Sequence, residues 1–82
     1  MLNPEGKPML TLDAIIEYME RSIAEDVLAG NKLGLKHTQT AAGVIMAAAE
    51  SVKDGATAAR FRSVAAQAAN KLEDVERAEE RA

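Results

Sequence analysis

The sequence predicts an all-α domain of three helices, a helical hairpin followed by a long C-terminal helix. Apolar residues recur at helical spacing through residues 12–28 and again through 58–75. Glycine and threonine fall between the apolar stretches, where helices stop and start. No strand-like alternation, hairpin turn signal or internal repeat competes with that pattern.

Residues 1–10 read as an N-terminal arm, because Pro4, Gly6 and Pro8 break any periodicity. The single helical domain then covers residues 11–82. Thr11 is suited to cap the first helix, with Asp13 in the first turn where the helix dipole favours an acid. Leu10 and Ile15 have the spacing of a hydrophobic staple. Leu12, Ile15, Ile16, Met19, Ile23 and Val27 line one face, and Glu17, Glu20, Arg21, Glu25 and Asp26 the other. Gly30 stands where a C-terminal glycine belongs, so the first helix is expected over residues 12–29.

The stretch AGNKLGLKHTQT (residues 29–40) reads as a connection, with the second helix starting after Thr38 or Thr40 and covering residues 39–53. In that reading Leu33 and Leu35 tuck under the connection into the core. Gly43 inside a helix costs about 1 kcal/mol against alanine, which suggests close approach of another backbone along a small-residue face. Gly55 is expected to close this helix and Thr57 to cap the next, over residues 57–80. Ala58, Phe61, Ala65, Ala68, Leu72 and Val75 follow a 3-4-3-4-3 spacing, a heptad seam that continues onto Glu79 and Ala82. The last helix is the longest, so Leu72 and Val75 are expected to overhang the other two.

Composition limits the core. Of the apolar residues, which make up 48% of the chain, 17 are alanine, and only Tyr18 and Phe61 are aromatic. Alanine adds little buried area, so an 82-residue chain of this kind is marginal alone, and a homodimer or small oligomer is expected. Without cysteine there is no disulfide framework or thiolate metal site. No signal-peptide pattern or membrane-length apolar run is visible, so a cytoplasmic protein is expected. The net charge of −3 is unevenly distributed: residues 1–29 and 72–82 are acidic, and residues 30–71 carry six bases against two acids. Either the basic middle sits against the acidic ends, or it forms a face for nucleic acid or an acidic partner.

Motifs for chemistry are sparse. The 29–40 stretch lacks a phosphate-loop pattern: Gly30 and Gly34 are one residue too close, His37 follows Lys36 where Ser or Thr is needed, and a helix precedes it instead of a strand. A weaker anion site is conceivable if Lys36, His37, Thr38 and Thr40 surround the start of the second helix. Acids without a Glu-x-x-His partner suggest no metal site, one histidine suggests no catalytic residue, and no cofactor is expected. Arg60 and Arg62 open the last helix, and with residues 48–64 as a helix-turn-helix they are the candidate DNA contacts. Glu50 and Asp54 oppose this reading, because that motif wants apolar residues there. The remaining feature is the seam of Phe61, Ala65, Ala68, Leu72 and Val75. It is either the internal core or, as the overhang favours, a self-association surface. The expected function is a non-enzymatic protein–protein interaction module that binds itself and another protein: an adaptor, inhibitor or assembly protein of the kind bacteria and phages use as accessories. A small DNA-binding regulator is the second reading and an oligomer holding an anionic ligand the third.

Overall fold

The computed structural model describes residues 9–81, so most of the expected N-terminal arm, and Ala82 at the end of the seam, lie outside the described residues. Three α-helices follow one another: α1 (Leu12–Ala29), α2 (Lys32–Ser51) and α3 (Gly55–Arg81). Among the described residues there is no strand, and no helix is long and apolar enough to cross a membrane.

The start and stop of α1 follow from local chemistry. The Thr11 hydroxyl accepts the Ala14 N–H at 3.1 Å, and Gly30 closes the helix in the left-handed region (φ 66°). Leu10 does not act as a staple: it is 77% exposed, while Ile15 packs against the core.

The second helix begins seven residues before the expected start. Asn31 caps it, its side-chain oxygen accepting the Gly34 N–H at 2.9 Å. Gly34 is therefore a packing residue. A Cβ on it would lie 2.5 Å from an Asp26 carboxylate oxygen, so its bare backbone lets the end of α1 lie against the first turn of α2. The Asn31 amide donates to the same carboxylate group, at 3.3 Å. Of the two leucines expected to tuck inward, Leu35 is fully buried and Leu33 is 79% exposed. Gly43 serves no close approach within the chain, since a Cβ there would meet nothing within 4 Å.

The second connection also differs from expectation. The helix ends at Ser51, Lys53 takes the left-handed turn (φ 61°), and Gly55 is already the first residue of α3. The cap is Asp54, whose carboxylate accepts the Thr57 N–H at 3.1 Å. The Thr57 hydroxyl, and next its backbone N–H, hold the Asp54 carboxyl below its ordinary pKa, because both favour the charged form.

The helices run up, down and up. Lys32 at the start of α2 meets Glu79 near the end of α3 at 2.7 Å, and Glu50 near the end of α2 meets Arg62 near the start of α3 at 3.3 Å. Thus α2 and α3 form an antiparallel hairpin along their length. Asp13 pairs with Arg60 at 2.5 Å and Glu20 accepts from Gln67 at 3.5 Å, so α1 runs parallel to α3. Two of these ion pairs, Lys32–Glu79 and Arg60–Asp13, join the basic middle of the sequence to its acidic ends within one chain. All are solvent-exposed, so each adds at most about 1 kcal/mol.

The core cluster contains Met19 and Ile23 from α1, Leu35 and Ala42 from α2, and Phe61, Val64, Ala68 and Val75 from α3. Phe61, Leu35 and Val64 are the large side chains wholly removed from water. The extra two turns of α2 change the expected overhang. They reach Val75, which is 9% exposed, and Leu72 is half-buried; only residues 76–81 of α3 are exposed throughout.

Candidate functional site

Each group of sequence-derived candidates has a definite place in this bundle. Phe61, Ala68 and Val75 are buried in the core of the single chain, and Ala65 and Leu72 pack against it half-buried. The heptad seam of α3 is therefore the internal core, which corrects the expectation of a self-association surface there. The physical reason is the length of α2, which supplies the cover that a shorter helix would have left to a second molecule.

Lys36, His37, Thr38 and Thr40 lie inside α2, beyond its first turn, and their backbone N–H groups belong to the helix. The helix start, with its free N–H groups, is at Lys32, four residues before Lys36 and eight before Thr40, so these four do not surround it as expected. Thr38 is turned inward, while Lys36, His37 and Thr40 are exposed. Arg60 and Arg62 are in the first two turns of α3 and half-exposed, but each is held by a carboxylate, Asp13 and Glu50 respectively. The antiparallel hairpin of α2 and α3 is not the steeply crossed pair that sets a reading helix into a DNA groove.

Three grooves border α1. One of about 430 Å³ lies between α1 and α2, with Tyr18, Ser22, Glu25, Asp26 and His37 on its walls. Two more, of about 490 and 440 Å³, lie between α1 and α3; both are lined by Val27 and by Leu28, which is 90% exposed. Among the described residues no three His, Asp or Glu side chains are grouped to hold a metal ion.

The outer face of α2 is chemically unlike that of α1 and that of the second half of α3. Leu33, His37, Thr40, Val44, Ala47 and Ser51 are all exposed and follow a 4-3-4-3-4 spacing, a second heptad stripe on the side facing away from the core. Leu33 is 79% and Val44 64% exposed. No Asp, Glu, Lys or Arg occurs between Lys36 and Glu50. The exposed face of α1, by contrast, carries Glu17, Glu20, Arg21 and Glu25, and the second half of α3 carries Lys71, Glu73, Asp74, Glu76 and Arg77. The stripe is invisible to a reading that begins α2 at residue 39, because that reading leaves Leu33 and His37 in a loop. Comparison with protein families, curated proteins and solved structures finds no match to this chain.

Proposed function

We propose that this chain is a non-enzymatic protein–protein interaction module, an adaptor, inhibitor or assembly protein that acts as a helical homo-oligomer and presents its remaining surface to another protein. The observation that carries this reading is the outer face of α2, an exposed helical stripe without a charged residue over 37–49, on a chain where the exposed face of α1 and the second half of α3 are strongly charged. Covering the stripe removes Leu33 and Val44 from water at about 25 cal/mol per Å². Leu28 and the grooves flanking it on α1 and α3 supply a second apolar surface, suited to an amphipathic helix of another protein.

Absolute mass in solution, by light scattering on a sizing column at two protein concentrations, tests the self-association. A mass above 8.7 kDa that grows with concentration is expected. A mass of 8.7 kDa at every concentration up to the millimolar range would end the homo-oligomer reading.

A further inference from the structure

Resting on that reading, we propose that two copies of this chain pair antiparallel through the outer faces of α2, about a twofold axis that passes between Thr40 and Val44. A twofold interface is self-complementary, so each residue of the stripe must meet another residue of the same stripe. The 4-3-4-3-4 spacing allows antiparallel registers one heptad apart, and the one that uses all six residues sets Thr40 opposite Val44, His37 opposite Ala47, and Leu33 opposite Ser51, each pair occurring twice. Every layer then joins a larger side chain to a small one, except at the axis, where Thr40 and Val44 are β-branched residues of similar size. Gly43, whose missing side chain nothing inside the chain accounts for, lies beside the axis and leaves room for the second backbone.

Charge selects the same arrangement. Lys36 and Glu50 are two heptads apart and share one flank of the stripe. At 1.5 Å per residue Lys36 lies about 9 Å to one side of the axis and Glu50 about 12 Å to the other. Antiparallel pairing brings Lys36 of one copy to within about 3 Å, measured along the helix, of Glu50 of the second copy, twice per dimer. Parallel pairing about a twofold axis would place this flank of the two copies on opposite sides of the interface, where Lys36 of one copy does not meet Glu50 of the other. Among the described residues Lys36 has no ion-pair partner, and Glu50 uses a single oxygen, Oε2, towards Arg62. The stripe is one helix wide, so the dimer belongs among small interfaces and dissociates on dilution.

The test is a charge-reversal cycle read by light scattering over a dilution series, with circular dichroism to check that helicity is unchanged. The unaltered chain should pass from 8.7 kDa towards twice that mass as concentration rises. Lys36→Glu and Glu50→Lys should each weaken dimerisation about tenfold, because two attractive contacts become repulsive, and the double variant should recover to within about threefold. Val44→Asp, a change at a position 64% exposed, should abolish the dimer without unfolding the chain. Should Val44→Asp unfold the chain, the reversal cycle decides alone. A dimer unaffected by all three changes would overturn pairing through α2 while leaving self-association standing. Single reversals that weaken the dimer without restoring one another would overturn the antiparallel register. A monomer at every concentration would overturn both the pairing and the homo-oligomer reading.

Discussion

Of the nine buried residues of the α2–α3 hairpin, four are alanine, Ala42, Ala49, Ala58 and Ala68, with Phe61, Leu35 and Val64 the large side chains wholly covered. The contact of α1 with that hairpin is made by larger side chains, Ile15, Ile16, Met19, Ile23 and Val27, and only Met19 and Ile23 among them are fully covered. Alanine brings little area, but it lets two backbones lie close, so the hairpin gains through dense packing along its whole length. Branched and long side chains hold α1 farther off and leave its edges open. The grooves beside Tyr18 and Leu28 are the consequence. Binding surface on this molecule therefore arises beside the loosely docked helix and on the outside of the tightly packed one.

The contrast can be broken most severely at its centre. Phe61→Ala removes the largest fully buried side chain and should cost about 3–5 kcal/mol, comparable to the whole stability expected of a domain this size. Denaturation by urea, followed by circular dichroism, should show the variant largely unfolded at 37 °C. Next comes Ala68→Leu. At a position with no exposure inside the close-packed hairpin, overpacking should cost about 1–3 kcal/mol. The same change at Ala24, exposed beside the α1–α3 groove, should stay within about 0.5 kcal/mol. Equal losses at the two sites would mean that α1 is packed as tightly as the hairpin.

Two glycines of α2 sharpen the comparison further, because one chemical change should act differently on them. Gly43→Ala meets open space and should stabilise by about 1 kcal/mol, read at a concentration where the chain is monomeric. Gly34→Ala must displace the Asp26 carboxylate and the Asn31 amide and break their hydrogen bond, a loss of about 1 kcal/mol that cancels the same helix-propensity gain. A rise in melting temperature at Gly43 with none at Gly34 is the expected pair of results. The smallest effect belongs to the Asp54 cap. Its folded-state pKa lies below the ordinary carboxylate value, so its stabilisation is present above that value and is lost as pH falls through the folded pKa. Asn still caps a helix but does not titrate, so Asp54→Asn should lose less melting temperature than the unaltered chain as pH drops below 3.8.

How much of this was legible in the residues differs along the chain. Both ends of α1 were, because Thr11 and Gly30 act on backbone groups a few residues away and need nothing distant. The inward face of α3 was in part: Ala58, Phe61, Ala68 and Val75 of the heptad seam are buried, but Val64, outside that seam, is buried more deeply than Ala65 or Leu72 within it. The start of α2 was misread because Asn31 and Gly34 look alike in a loop and in a capped first turn. What distinguishes them is the carboxylate of Asp26 lying across Gly34, a contact made by another helix. Among the proposed binding residues, Leu33 and His37 were hidden by that same misplaced boundary.

Residue order by itself determined that the chain is helical, that it contains three helices and which face of α1 and α3 avoids water, because periodicity, caps and propensity are properties of neighbours in sequence. It could not decide whether the α3 seam is covered by its own chain or by another, nor which side of α2 is left bare. Both depend on how far α2 extends beside α3. The start of α2 is a local cap of Asn31 on Gly34, but that its first turns lie against the end of α1 and beside α3 follows only from contacts such as Asp26 across Gly34 and Lys32 with Glu79.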